Sequence, residues 1–142
     1  MKFNTKIRYA IRSMAEIALA DQSEGILQKD ISENQRISIK YLDHIIASLK
    51  AAGLIVNVKG KKSGYRLTKA PAEISMLEIH NAFEHEIAVI ECLSEYADCE
   101  MIDVCLSYPF WKGLNERVKD YFNEVVLEDL INKRSGKLKK ES

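Results

Sequence analysis

The stretch that most constrains this chain is a short amphipathic helix with both ends marked, followed at once by a lysine-tipped hairpin. Ser38 is a good N-cap, and Leu42, Ile45, Ile46 and Leu49 make one apolar stripe. Gly53 stands where a helix C-terminus takes glycine. Two short strands are expected next, over residues 54–58 and 65–67, joined by Lys59-Gly60-Lys61-Lys62-Ser63-Gly64. Glycines at both ends suit a hairpin, and lysines crowded at its tip repel one another unless something anionic lies against them.

Upstream, Ile7, Ile11, Met14 and Ala18 recur at helical spacing over residues 5–20. A polar break follows from Asp21 to Gly25, then a short helix over about 28–35 with Ile31 buried. Helix, helix, tight turn, helix, basic hairpin is the order of a winged helix-turn-helix. In that architecture the third helix enters the major groove by its N-terminal turn. Ser38, Ile39, Lys40 and Tyr41 therefore lead, with Asp43 and His44 on the face opposite the apolar stripe. Lys40 can reach a phosphate or a guanine, and Asp43 can accept from a cytosine amino group. Lys59, Lys61, Lys62 and Arg66 of the wing would follow the DNA backbone or the minor groove. Tyr65, inside a strand, reads as a core or cross-strand residue. Without the wing, the third helix would read equally well as a plain core helix; the combination favours DNA.

Charge supports that orientation. The net charge is zero, yet residues 1–70 carry 13 Lys+Arg against 6 Asp+Glu, and the remaining 72 carry 8 against 15. Between Lys69 and Lys112 there is no basic Lys or Arg, while nine acids fall from Glu73 to Asp103. A basic half suits a phosphate backbone and an acidic half is repelled from it. The alternative is two solvated faces that merely differ.

Beyond the hairpin, Pro71 breaks the chain and Ser75-Met76-Leu77-Glu78 reads as a capping box opening a helix that ends near His85. On that helix His80 and His85 read as surface or half-buried residues. Residues 86–109 have weak periodicity and hold all three cysteines, Cys92, Cys99 and Cys105. A long helix is expected over 110–133, with Trp111, Leu114, Val118, Tyr121, Phe122, Val125 and Leu130 apolar. Its span of roughly 35 Å exceeds what one winged-helix unit needs for its own core. It reads as a dimerisation helix, the alternative being a helix folded back on its own domain. The expected organisation is thus a DNA-binding region (1–85), a cysteine-bearing sensor loop (86–109), a dimerisation helix (110–133) and a basic flexible tail (134–142), in a mainly α fold with a small β-hairpin.

These stretches carry a family resemblance. Thr5-Lys6-Ile7-Arg8-Tyr9-Ala10-Ile11-Arg12, Ile37-Ser38-Ile39-Lys40-Tyr41-Leu42, Ala52-Gly53-Leu54-Ile55 and Gly64-Tyr65-Arg66-Leu67 resemble the IscR/NsrR-type regulators, the Rrf family of bacterial winged-helix transcription factors. The cysteine trio and the late helix also match, so the resemblance runs from residue 1 to about 132. It implies a homodimer on a near-palindromic double-stranded operator. It departs in three places: Ser63 replaces a wing glycine, Arg36 stands at a turn that usually holds glycine, and Leu27 sits where a Ser or Thr cap is common. A left-handed backbone at Arg36 would cost on the order of 1 kcal/mol or more.

Six residues separate Cys92 from Cys99 and five separate Cys99 from Cys105, which is not a zinc-finger spacing. An odd number of cysteines argues against a disulfide framework. The resemblance implies an iron–sulfur cluster held by the three thiolates and one further ligand, [2Fe–2S] first and [4Fe–4S] as the variant. Soft ligands on a loop suit iron–sulfur or zinc chemistry. Glu91, Glu95, Asp98, Glu100 and Asp103 are expected to raise the thiol pKa values while attracting a cation. The fourth ligand is open among Asp98, Glu95, Asp103, Tyr108, His85 and an exogenous thiol.

The leading expectation is a cytoplasmic transcription regulator whose operator affinity depends on the cluster. One rival is a cluster-free regulator controlled by thiol oxidation or a partner protein. A rival of another class is an iron–sulfur carrier or electron-transfer protein, which has no use for the lysine hairpin and recognition helix. No nucleophile–base pair, phosphate loop or paired-carboxylate motif points to an enzyme. No apolar run approaches the ~20 residues that cross a bilayer, and the N-terminus lacks an apolar signal core.

Overall fold

A computed structural model describes residues 3–59 and 64–132. Helix α1 (Thr5–Leu19) is capped by the Asn4 side chain, which accepts from the Ile7 amide. Helix α2 (Gln28–Gln35) begins after Leu27, which offers no side-chain cap. Helix α3 (Ile39–Ala51) starts at Ser38, whose hydroxyl accepts from the Tyr41 amide. The three pack through Ala10, Met14, Ile17, Ile31, Leu42, Ile45 and Leu49, all fully buried. The turn between α2 and α3 places Arg36 at φ 55°, ψ 46°, in the left-handed region. Arg36 is exposed, so its side chain gains little in return for that backbone.

The hairpin pairs β1 (Ile55–Asn57) with β2 (Tyr65–Leu67), antiparallel, with Val56 opposite Arg66. The first strand is shorter than expected. Tyr65 also exchanges backbone bonds with Ile26 at 3.0 and 2.8 Å, so the segment before α2 lies along the hairpin. This explains Gly64 differently from a simple turn preference. A Cβ there would come within 2.8 Å of the Glu24 carbonyl oxygen, and one on Gly25 within 2.8 Å of the Tyr65 oxygen. The wing is thereby fastened to the helical body.

After the hairpin, helix α4 (Met76–Asn81) ends four residues before the expected position. Ser75 caps it, accepting from the Glu78 amide at 3.1 Å. His80, expected near the surface, is 2 % exposed and sits edge-on to the ring of Phe122. The expected single helix over 110–133 is two helices: α5 (Tyr108–Glu124) and α6 (Leu127–Ile131). Val125 and Val126 between them are extended and pair with the strand-like segment 74–76. The Met76 amide donates to the Val125 carbonyl at 2.9 Å and the Leu127 amide to that of Ile74 at 2.8 Å. Val125 and Leu127 then enter the same core as α1. Burying two such side chains contributes about 1.5–3 kcal/mol each. That outweighs continuing a helix through two β-branched residues. Among the described residues, no helix is long and apolar enough to cross a membrane.

Candidate functional site

On α3 the first turn is open. Ile39 is 47 % exposed, and Ser38, Lys40, Asp43 and His44 are exposed around it. Tyr41 is half-buried, its ring edge-on to Tyr9 of α1 at 5.4 Å, with the Arg12 guanidinium 5.0 Å from the Tyr9 ring. Tyr41 therefore braces α3 against α1 as well as standing beside the exposed turn. Arg12 also donates to the Gln35 backbone carbonyl, tying α1 to the end of α2. Asp43 accepts from the Gln28 side-chain amide at 2.6 Å. Lys59 and Arg66 are exposed on the wing, Arg66 donating to the Leu67 carbonyl at 3.1 Å. Lys61 and Lys62 lie outside the described residues. The described candidates for DNA contact thus lie on the first turn of α3 and on the wing, and the Ile26–Tyr65 pairing ties the wing to the segment before α2.

The three cysteines, all half-buried, line one cavity of about 110 Å³. Ile90, Ile102 and Trp111 supply its apolar wall, with Ser107 and Tyr108 from the start of α5. No group of three or more His, Cys, Asp or Glu side chains close enough to hold a metal ion is found among the described residues. The donor set nevertheless fits a thiolate-held group: three soft ligands face one apolar space. Desolvation pushes the Cys92 thiol up, reinforced by the neighbouring Cys99 and more weakly by Cys105. Cys105 is held below the ordinary thiol range, first by a hydrogen bond with the Ser107 hydroxyl at 3.3 Å and then by the Ser107 and Tyr108 amides. Cys92 thus moves in the direction expected of the acid-rich loop, though burial and the other thiols rather than carboxylates are the causes, while Cys105 moves the opposite way. Sulfur–sulfur proximity and the α5 terminus act at shorter range.

Tyr108 shares the cavity with all three cysteines; Asp98 shares an adjoining open pocket with Cys92 and Cys99. His85 instead pairs with Glu95 at 2.9 Å, both side chains largely in solvent. Asn115 was not among the sequence candidates. It is buried on α5, accepting from the Val89 amide at 2.8 Å and donating to the Ile87 carbonyl at 3.0 Å. It pins the start of the cysteine loop to the helix. Its signal was present: Trp111, Asn115, Val118 and Phe122 fall at i, i+4, i+7 and i+11, a polar residue on an apolar stripe. Gln28 had no such signal, because its partner is fifteen residues away.

Comparison with known proteins agrees with this architecture. The family model Rrf2, described as an iron-dependent transcriptional regulator, matches residues 3–133. The HTH-type transcriptional regulator IscR of Pectobacterium carotovorum is 32 % identical over 134 residues, spanning 94 % of this chain and 81 % of that one. Among solved structures, CymR, the global cysteine regulator of B. subtilis, superposes with a TM-score of 0.76 at 26 % identity, covering 95 % of this chain and 99 % of that one. The oxidised form of Staphylococcus aureus CymR gives 0.72 at 29 % identity, covering 93 % and 97 %. These relatives are regulators rather than enzymes. The chain belongs to the Rrf2 family of winged-helix, DNA-binding transcriptional regulators.

Proposed function

We propose that this protein is a homodimeric cytoplasmic regulator that binds a near-palindromic operator through the α3 start and the wing, with an affinity set by an iron–sulfur cluster on Cys92, Cys99 and Cys105. The observation that carries the reading is the shared cavity. Three thiols separated in sequence face one apolar space whose wall includes the first turn of α5. When bound, such a cluster supplies a redox-active group that reports on iron and oxidants. The chain's own residues do the rest. Cys105, favoured as thiolate by Ser107 and the α5 amides, is a ready ligand, and Tyr108, which lines the same cavity, and Asp98, which lines the adjoining one, are the candidates for a fourth position.

Dimerisation through α5 follows from what that helix leaves uncovered. Phe110, Leu114 and Tyr121 are 65 %, 39 % and 55 % exposed and fall on one face at i, i+4 and i+11. A two-fold partner on that face would set the spacing of two recognition helices. Because the cavity abuts α5, its contents bias the helix position and hence the half-site spacing. Operator affinity measured at one salt concentration for metal-free and reconstituted protein tests this. A difference of tenfold or so is expected, about 1.4 kcal/mol of coupling; equal affinities refute regulation by the cavity.

A second reading has its own support. Cys92 and Cys99 are close enough to raise the Cys92 pKa, and an oxidised form is known for the similar S. aureus CymR. Thiol oxidation alone would then switch the protein. Oxidant treatment of metal-free protein, with mass mapping of the cysteines, separates it from the cluster reading.

A further inference from the structure

Helix α2 meets the exposed face of α3 through Gln28. Gln28, its first residue, donates from Nε2 to Asp43 Oδ1 at 2.6 Å and to the Ile39 carbonyl at 3.3 Å. Two acceptors on one amide nitrogen use both of its hydrogens and fix which end of the amide faces α3. Asp43 lies one turn into α3, exposed, on the side away from the core stripe. A free aspartate there would sample several rotamers, and its near neighbour at i−3 is the cation Lys40. With Oδ1 held by Gln28, the carboxylate keeps one orientation and Oδ2 remains to accept from outside.

We infer that Gln28 is a specificity-determining positioning residue. It clamps Asp43 so that the carboxylate presents one fixed acceptor to the major groove, where it reads the N4 amino group of a cytosine. This rests on the DNA-binding reading of α3 and extends it. A carboxylate in a groove flanked by phosphates is repelled unless a base donor meets it, so it selects by exclusion as well as by attraction. The clamp turns that into a preference at a single base pair. It also dictates what a swap does. In Asp43→Asn the introduced oxygen remains the acceptor that Gln28 needs, so the new NH2 group faces the DNA. The preference then moves from a donor base to an acceptor base, guanine or thymine in place of cytosine. Without Gln28 the introduced amide turns over freely and that new preference is lost.

The experiment enriches bound duplexes from a randomised DNA library with anaerobically purified full-length wild type, Gln28→Met, Asp43→Asn and the double variant. Gln28→Met keeps the length of the stem while removing the amide that clamps Asp43, and circular dichroism checks that each variant folds. The wild type is expected to select a cytosine at one position per half-site. Gln28→Met should flatten that position alone, on the order of fivefold, the lower end of the discrimination that a bidentate pair gives. Asp43→Asn should redirect the position to guanine or thymine, and the double variant should show neither preference. A wild-type motif that Gln28→Met leaves unchanged at every position overturns the clamp while leaving DNA binding intact. A wild type that enriches no motif and binds no random duplex removes the DNA-binding reading itself, and the clamp with it.

Discussion

Replacing Asn115 by leucine probes how the cysteine loop is attached to α5. The substitution keeps the branching and the number of side-chain heavy atoms and removes two buried hydrogen bonds, leaving the Val89 amide and the Ile87 carbonyl without side-chain partners. Ile87 and Val89 are 5 % and 8 % exposed, so water does not readily replace the lost groups. Each unsatisfied buried group costs about 1–3 kcal/mol, and the apolar leucine offsets part of it, for a net loss of about 2–4 kcal/mol. The loss is local, because the core of α1, α3 and α6 does not include these atoms. Hydrogen exchange resolves it: the Val89 amide should exchange roughly 30- to 1,000-fold faster, while amides of Met14 and Leu49 change little. Cluster retention after reconstitution should fall in parallel. Unchanged protection at Val89 in a folded variant would refute the claim that Asn115 anchors the loop.

Four further outcomes follow from the same geometry. Arg36→Gly relieves a left-handed non-glycine residue and should stabilise the protein by about 1 kcal/mol in urea unfolding; a loss would show that the arginine side chain contributes there. In metal-free protein, iodoacetamide should label Cys105 before Cys92, read by peptide mass mapping, because Cys105 is shifted down and Cys92 up. Asp21 is held below the ordinary carboxylate range by the Ser23 hydroxyl and amide. Its contribution is therefore present above the unfolded value, about 3.9, and is lost as pH falls through the lower folded value. Asp21→Asn should flatten that part of the acid-unfolding profile. Neutralising Lys59, Lys61 and Lys62 together should weaken binding to all sequences alike and reduce the salt slope by about 0.9 for each phosphate contact removed.

The recognition unit was largely legible in the sequence because its determinants are local. Ser38, the Leu42–Leu49 stripe and Gly53 announce α3 within a few residues of one another, and φ 74° at Gly53 matches the C-terminal role read for it. Arg36, at a turn where the resembling family usually holds glycine, is left-handed, which is the condition under which an arginine there is strained. The break at Val125–Val126 was not legible. Val118, Phe122 and Val125 continue a helical period, and what stops the helix is pairing with residues 74–76, some fifty positions earlier. His80 was misplaced for a related reason. Its burial comes from Phe122 of α5, which nothing on its own helix signals. For the cysteines, spacing alone left the chemistry open, and only the fold brings them to one cavity with Trp111. The downward shift at Cys105 was not legible, because a count of nearby acids does not show that the Ser107 hydroxyl meets the sulfur.

The most direct test of the central claim is an absorption spectrum of anaerobically purified protein with iron and acid-labile sulfide determined on the same sample. A coloured protein with iron and sulfide in equal amounts is expected, both lost in Cys92→Ala, Cys99→Ala or Cys105→Ala. A colourless, iron-free protein that stays colourless after reconstitution would contradict it.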